Sequence, residues 1–180
     1  MRIIVAIAAA FVLLARSAQA DPIGVVVDNT GDGIVVTVNT EAANIHFTYA
    51  EQCDGGKPCY QIEAGQGMVG ISASARACKV NPGNGYTPTG IECPVGAGSI
   101  TFKLTNGGTW SAYEGGGGQH TGPCSPARVI VTTGKGANSI NTWNGCHEVV
   151  QCNTAAGALA MVEADANDDV TGKCTSVIKH

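Results

Sequence analysis

The sequence predicts an all-β fold, a parallel β-helix or β-roll-like solenoid stapled by disulfides. Three observations favour this fold: short alternating segments rich in β-branched residues, turn residues at the ends of each segment, and almost no helical periodicity. The chain has 180 residues, enough for one domain of ordinary size. Its 25 glycines are about twice the average share of roughly 7%, so many tight turns are expected.

Eight segments have the strand pattern, and clusters of Gly, Asn, Asp or Pro bound each of them. They are 24–27, 34–38, 45–49, 60–63, 68–73, 99–104, 128–132 and 159–162. The best helix candidate, 155–166, is rich in alanine, but it contains Gly157 and lacks an apolar stripe with a period of 3.6 residues. Strands are therefore expected throughout.

Three of these segments align as copies of one unit, a strand followed by a tight polar turn and a single apolar residue. The copies begin at Ser99, Ala127 and Ala158, with spacings of 28 and 31 residues, and their apolar residues are Trp110, Ile140 and Val170. Near-constant spacing is typical of a solenoid, in which each coil stacks its apolar residues on the next. An antiparallel β-sandwich also has short strands joined by polar turns, and it is the alternative.

The first twenty residues have the pattern of a secretory signal. Arg2 precedes an apolar run at 3–15, and residues 17–20 end in the small-x-small pattern that signal peptidase cleaves. This run is shorter than the roughly 20 residues that span a bilayer. We therefore expect residues 1–20 to be a signal peptide and 21–180 a single disulfide-rich domain that is secreted or periplasmic.

The expected mature domain is acidic. Loss of Arg2 and Arg16 leaves eight Lys and Arg residues against fourteen Asp and Glu, a formal net charge of −6. This balance argues against nucleic acid and anionic lipid as partners. No segment after residue 20 is long and apolar enough to span a membrane, so the expected partner is an extracellular or cell-surface ligand.

Eight cysteines follow the signal, and an even number in an exported chain predicts four disulfides. Eight cysteines allow 105 pairings, among which sequence cannot choose. Short local loops favour the pairs Cys53–Cys59, Cys78–Cys93 and Cys146–Cys152, which leaves Cys124–Cys174. A zinc site is disfavoured because the chain has no C-x2-C.

The turns of the aligned segments resemble decayed copies of the repeats-in-toxin nonapeptide, G-G-x-G-x-D-x-U-x. Residues 133–141 read TGKGANSIN, with two of the glycines, the apolar Ile140, and Asn138 in place of Asp. Residues 163–171 read EADANDDVT and keep Asp168 and Val170, with alanines for the glycines. The chain is thus similar to exported bacterial proteins that carry degenerate repeats on a disulfide-bearing β-solenoid.

This resemblance implies calcium held in the turns. Ca²⁺ takes 6–8 oxygen ligands from carboxylates and carbonyls. Turn carbonyls near Gly134 and Gly136 are expected to face the carboxylates from the preceding coil. Such sites bind in the roughly 10⁻⁴–10⁻³ M range of extracellular modules. The alternative is a solvated acidic turn without a metal. The candidate ligands are Glu163, Asp165, Asp168, Asp169 and Asn138.

Signals for catalysis are poor, because the chain has no complete nucleophile elbow, H-E-x-x-H or phosphate-binding loop. We expect a secreted, non-catalytic binding or structural protein. One alternative is a small secreted carbohydrate-active hydrolase that uses Asp165 and Asp168, with Trp110, Tyr113 and Trp143 as a sugar platform. The other is an extracellular interaction or inhibitor module that presents its disulfide loops.

Overall fold

The computed structural model describes residues 25–29, 33–39, 44–53, 56–65, 71–73, 77–81, 89–96, 98–112, 122–153 and 158–180. The expected signal peptide, 1–20, lies outside these residues. The described part contains fifteen strands and no helix. The all-β prediction is therefore confirmed.

The strands form two sheets. Sheet A contains β1 (Val25–Asn29), β2 (Gly33–Val38), β5 (Ile71–Ala73), β8 (Ser99–Leu104), β10 (Arg128–Thr133), β12 (Glu148–Cys152) and β14 (Asp169–Gly172), in the spatial order β14-β12-β10-β8-β2-β1-β5. Sheet B contains β3 (Asn44–Ala50), β4 (Cys59–Ala64), β6 (Lys79–Asn81), β7 (Thr89–Pro94), β9 (Gly108–Ala112), β11 (Ala137–Thr142), β13 (Leu159–Ala164) and β15 (Ser176–Lys179), in the order β15-β13-β11-β9-β3-β4-β7-β6.

All eight predicted strand segments contain an observed strand; that of 68–73 is β5, and residues 68–70 lie outside the described part. Seven further strands were not predicted, namely β6, β7, β9, β11, β12, β14 and β15.

Both sheets are mixed. The antiparallel pairs are β1–β2, β3–β4, β4–β7 and β6–β7. From β8 to β15 successive strands alternate between the sheets, and each pairs in parallel with a strand two places away. Two kinds of turn result, A-to-B turns that lead from sheet A to sheet B and B-to-A turns that lead back.

The three aligned segments do not occupy equivalent positions in the two sheets. Those from Ser99 and Ala127 run through β8 and β10 of sheet A into sheet B, whereas that from Ala158 runs through β13 of sheet B into sheet A. The register pairs Trp110 with Ile140, and Ile140 with Val162 rather than with Val170. Both kinds of turn are rich in Gly, Asn and Asp. The sequence alignment therefore matched two A-to-B turns with a B-to-A turn, which lies half a repeat unit away.

The core lies between the sheets and is built from the inward residues of both. Phe102 of sheet A is fully buried and contacts Phe47 and Trp110 of sheet B, with ring centroids 5.2 and 5.3 Å away. Inward and outward positions alternate along the strands, as in the eBiBiB burial pattern of β10. Trp110 is therefore a core residue, which explains its place in the apolar pattern of the sequence.

Four disulfides join the eight cysteines. The predicted pairs Cys53–Cys59 and Cys78–Cys93 are confirmed. The predicted pairs Cys146–Cys152 and Cys124–Cys174 are wrong, because the structure has Cys124–Cys146 and Cys152–Cys174. Cys152 is the last residue of β12, which begins two residues after Cys146, and the four steps from Glu148 to Cys152 alone span about 13 Å. Disulfide-bonded Cα atoms lie only about 4.4–6.8 Å apart.

Loss of Cys152–Cys174 is expected to lower the free energy of unfolding by about 3 kcal/mol, because the bond closes a long loop in the unfolded chain. Both cysteines are changed to serine and the variant is unfolded in guanidinium. The matched control removes Cys53–Cys59, whose sequence separation is 6 rather than 22, and a smaller loss is expected. Equal losses would show that loop length does not set the contribution.

In the described part of the chain, no helix has the length and apolar character needed to cross a bilayer.

Candidate functional site

The acidic turn, residues 163–169, is the B-to-A turn between β13 and β14 with its flanking residues. Asp168 lies at its centre and is buried, with 3% of its surface exposed. Its Oδ1 accepts a hydrogen bond from the backbone N–H of Glu148 (2.8 Å). Its Oδ2 accepts from the hydroxyl of Thr142 (2.6 Å) and the backbone N–H of Asp165 (2.9 Å). Both carboxylate oxygens of Asp168 therefore hold backbone in place.

Asp165 binds the preceding B-to-A turn. Its Oδ2 accepts hydrogen bonds from the backbone N–H groups of Asn144 (2.9 Å) and Gly145 (2.6 Å). The Asn144 side chain continues the network, since its Nδ2 donates to Oε1 of the buried Glu148 (3.0 Å). The carboxylates thus connect two successive B-to-A turns through hydrogen bonds.

The carbonyl oxygens of the acidic turn face an ammonium group of the protein itself. Nζ of Lys179, on β15, donates to the carbonyl oxygens of Asp168 (2.8 Å) and Ala166 (3.4 Å). A cation bound to such a turn would contact oxygens of this kind. Lys179 therefore supplies positive charge at the turn from the neighbouring strand.

The other two acidic candidates pair with histidines. Oε1 of Glu163 lies 2.9 Å from Nε2 of His180, whose ring stacks on Trp143 with centroids 4.0 Å apart. Oδ2 of Asp169 lies 3.5 Å from Nε2 of His147, and both of these side chains are more than half exposed. Glu163 and Asp169 are thus at the rim of the turn rather than at its centre.

Asn138 does not lie with the four carboxylates. It is in β11 and pairs with Ala160 near the start of β13, whereas Glu163 is near the end of that strand. The expectation that carbonyls near Gly134 and Gly136 face the carboxylates is wrong for the same reason, because these glycines belong to an A-to-B turn.

The Asn138 side chain lies in the A-to-B turn between β10 and β11. It is 2% exposed, and its Nδ2 lies 3.0, 3.2 and 3.5 Å from the carbonyl oxygens of Gly136, Leu159 and Gly134. Three carbonyl oxygens that converge on one point need a donor or a cation between them. The amide of Asn138 supplies the N–H groups.

These contacts do not fit the calcium set that the resemblance implies. At both turns the converging oxygens already accept hydrogen bonds from Asn138, Lys179 or the backbone. Within the described ranges no group of three or more His, Cys, Asp or Glu residues is arranged to hold a metal ion. The predicted ligands are brought together only as Glu163, Asp165, Asp168 and Asp169, and hydrogen bonds within the protein occupy the two central ones.

The residues proposed for catalysis also have structural roles. Asp165 and Asp168 accept hydrogen bonds from backbone, and Trp110 is in the core rather than on a sugar platform. Tyr113, the third platform residue, lies outside the described part. A Ser–His contact exists on the outer face of sheet B, where Nδ1 of His46 is 2.8 Å from Oγ of Ser111. These residues are register partners on adjacent parallel strands, so the contact is a cross-strand pair.

The basic groove is a feature that the sequence did not indicate. It has a volume of about 470 Å³ and crosses the ends of β8, β10 and β12 at the A-to-B turns. Lys103 and Lys135, both exposed, lie on it together with Thr132, Gln151 and Asn153. Among the described residues, no carboxylate lines the groove. Its charge is thus opposite to the net charge of the chain, which is −4 over all 180 residues.

Parallel pairing aligns the polar residues of the groove. Lys103 pairs with Thr132, and Thr132 pairs with Gln151, so the three side chains form one row across three strands. Adjacent strands are about 4.8 Å apart, which gives the row a length of about 10 Å. Lys103 and Lys135 are 32 residues apart in sequence, and they come close in space because β8 and β10 are adjacent parallel strands.

Comparison with protein families, curated proteins and solved structures found no match to this chain. The four disulfides indicate an oxidising environment, extracellular or periplasmic.

Proposed function

We propose that the protein is an exported, non-catalytic binding protein whose basic groove takes an elongated anionic ligand. The observation that carries this proposal is the row of Lys103, Thr132 and Gln151, with Lys135 beside it and no carboxylate among the described residues of the groove. Two ammonium groups attract carboxylate or sulfate, and hydroxyl and amide groups can bind the polar atoms between the charges. A linear acidic polysaccharide has this chemistry.

The proposal includes a two-sided β-solenoid over residues 99–179. Strands that alternate between two sheets and pair in parallel with strands two places away support it, as do disulfides that join successive turns of one kind. In such a fold equivalent positions recur along one axis, so a groove across the coils runs parallel to a bound linear polymer. The export proposal is supported by the disulfides and the signal-like leader.

Polygalacturonate is expected to bind the oxidised domain 21–180 and neutral dextran is not. Lys103→Glu and Lys135→Glu are each expected to weaken polygalacturonate binding by about tenfold or more, because each removes a charge-assisted contact and adds repulsion. Isothermal titration calorimetry at two salt concentrations measures the effect, which should shrink as salt rises.

The control for the groove variants is Lys57→Glu, an exposed lysine outside the groove. Its affinity for polygalacturonate should match that of the unmodified protein. If all three variants bound polygalacturonate equally, the ligand would bind outside the groove. If the protein bound none of the acidic polymers tested, the proposed ligand class would be wrong.

The proposed function does not require calcium in the turns, because N–H groups of the protein already donate hydrogen bonds to the turn oxygens. The melting temperature of the domain is expected to be the same in chelator and in millimolar calcium. A ligand at 100 times its dissociation constant would instead stabilise the protein by about 2.7 kcal/mol, a shift of several degrees. A calcium-specific rise of that size would support the calcium sites that the repeat resemblance implies.

A further inference from the structure

We infer that the turn disulfide, Cys124–Cys146, is a thiol–disulfide exchange site that reacts with a small anionic thiol, while the other three disulfides hold the fold. Cys124 comes before β10, and Cys146 lies in the B-to-A turn before β12. Each of the other three bonds has one cysteine inside a strand. Opening the turn disulfide therefore does not move a cysteine that belongs to a strand.

The turn disulfide is also the only one of the four with an exposed cysteine. All eight cysteines lie in the described part of the chain, and Cys124 alone among them is exposed. Its partner Cys146 is buried, with 4% of its surface exposed. A thiolate from solvent can therefore reach the Cys124 side of the bond. Exposed disulfides are in general the labile or reactive ones, because exchange requires access to a sulfur atom.

A cavity of about 540 Å³ lies beside the turn disulfide. Both cysteines border it, together with Ser125, Arg128 and Asn167. Its volume is within the range of roughly 300–1,000 Å³ that small-molecule sites have. It lies at the starts of β10 and β12, whereas the basic groove crosses the ends of these strands. The two sites are therefore separate, and the cavity has the size for a small thiol.

Arg128 gives this cavity its positive charge. It precedes Val129, which pairs with Glu148 in the parallel register of β10 and β12. Arg128 is therefore opposite His147, the residue that follows Cys146. A guanidinium in this position attracts an incoming thiolate, and it favours the thiolate form of Cys146 when the disulfide opens.

The carboxylates near the cavity already have partners. Oδ2 of Asp169 lies 3.5 Å from Nε2 of His147. Oε1 of Glu148, a residue that is 1% exposed, accepts a hydrogen bond from Nδ2 of Asn144 (3.0 Å). Arg128 is exposed, so a molecule from solvent can contact its guanidinium. A thiol that also carries a carboxylate gains a charge-assisted contact there, and an anionic thiol is therefore favoured over a cationic one.

The exchange consumes two thiols for each disulfide that it opens. The first thiolate attacks Sγ of Cys124, the bond between the two Sγ atoms breaks, and its electron pair leaves with Cys146 as a thiolate that takes a proton from water. Cys124 then carries a mixed disulfide. A second thiolate attacks the sulfur of the bound thiol, which releases the oxidised thiol dimer and leaves Cys124 as a thiolate that is protonated in turn. In an oxidising compartment the oxidised dimer drives the reverse reaction.

Partial reduction of the oxidised domain 21–180 tests the inference, with glutathione as the anionic thiol and cysteamine as the cationic one. Free thiols are alkylated after short reaction times, and the modified cysteines are identified by mass spectrometry. In glutathione the turn disulfide is expected to open first, about tenfold or more faster than the other three bonds. The glutathione adduct should be on Cys124 and the alkyl group on Cys146.

Arg128→Glu is expected to slow the opening of the turn disulfide by glutathione about tenfold or more, and to speed its opening by cysteamine. Comparing variants in the same thiol cancels the intrinsic reactivity of that thiol. Arg128→Lys keeps the charge and should react as the unmodified protein does. Unchanged rates at the other three bonds would show that both variants are folded.

The matched control is Lys57→Glu, which makes the same change of charge beside Cys53–Cys59. It should slow the opening of that bond by glutathione and leave the turn disulfide unaffected. Opening of another disulfide first, opening of all four together, or a glutathione adduct on Cys146 would overturn the inference. Equal rates for Arg128→Glu and the unmodified protein in both thiols would also overturn it.

Discussion

Asn138→Asp is expected to destabilise the protein by about 3–5 kcal/mol in the absence of divalent cations, because it leaves an uncompensated buried charge. The amide donates to three carbonyl oxygens in a site that is 2% exposed. A carboxylate there removes the N–H donors and places a negative charge among three oxygens. Thermal unfolding in chelator should show a drop of about 2–4 °C per kcal/mol for a domain of this size.

The same substitution should make the protein responsive to calcium. A carboxylate and three carbonyls supply up to five of the 6–8 oxygen ligands that Ca²⁺ takes, and water can supply the others, so millimolar calcium is expected to restore part of the lost melting temperature. The matched control is Ser139→Asp, which adds the same charge at the next, exposed position of β11. If Asn138→Asp melts like the unmodified protein in chelator, the amide does not hold the turn.

Asp168→Asn is expected to lower the free energy of unfolding by about 3–5 kcal/mol, with or without calcium. The carboxylate accepts from two backbone N–H groups and one hydroxyl, through both of its oxygens. An amide has one acceptor oxygen, so its NH₂ group must face at least one of these buried donors. Guanidinium unfolding in chelator and in calcium measures the loss.

Asp169→Asn is the neighbouring control for this prediction. Its carboxylate is exposed and lies 3.5 Å from the ring of His147, and exposed pairs of this kind contribute about 0–1 kcal/mol. A small effect at 169 beside a large one at 168 would show that the acidic turn is held by hydrogen bonds. If the loss at 168 occurred only in calcium, the carboxylate would be a metal ligand instead.

The strands that the sequence predicted are those whose pattern reflects burial on one face. Segments such as 45–49 alternate apolar inward residues with polar outward ones, and this alternation is visible without a structure. β14 and β15 were not predicted because each is only four residues long and mostly exposed. Their sequences therefore show no alternation of buried apolar and exposed polar residues. β12 was not predicted because it begins with the buried Glu148 and its two valines are adjacent, so apolar and polar residues do not alternate along it.

The pairing of residues across the chain was harder to predict. Two predicted disulfides are correct because those bonds close short local loops. The other two predictions are wrong because they paired cysteines that are close in sequence, whereas the real bonds join successive turns that are close in space. Both of the missed bonds have a sequence separation of 22, a shared spacing that could have indicated equivalent turns. The basic groove had no comparable signal, since Lys103 and Lys135 meet only through the register of β8 and β10.

The two long-range disulfides also determine what happens when the backbone is cut. Cys124–Cys146 encloses residues 125–145, and Cys152–Cys174 encloses 153–173. A protease that cleaves once inside either loop would leave both fragments covalently joined, with the flanking strands still hydrogen-bonded to their neighbours. Such a nicked molecule should run as one band on a non-reducing gel and as two after reduction. Within these two enclosed segments, the protein can therefore lose a peptide bond while its two parts stay covalently joined.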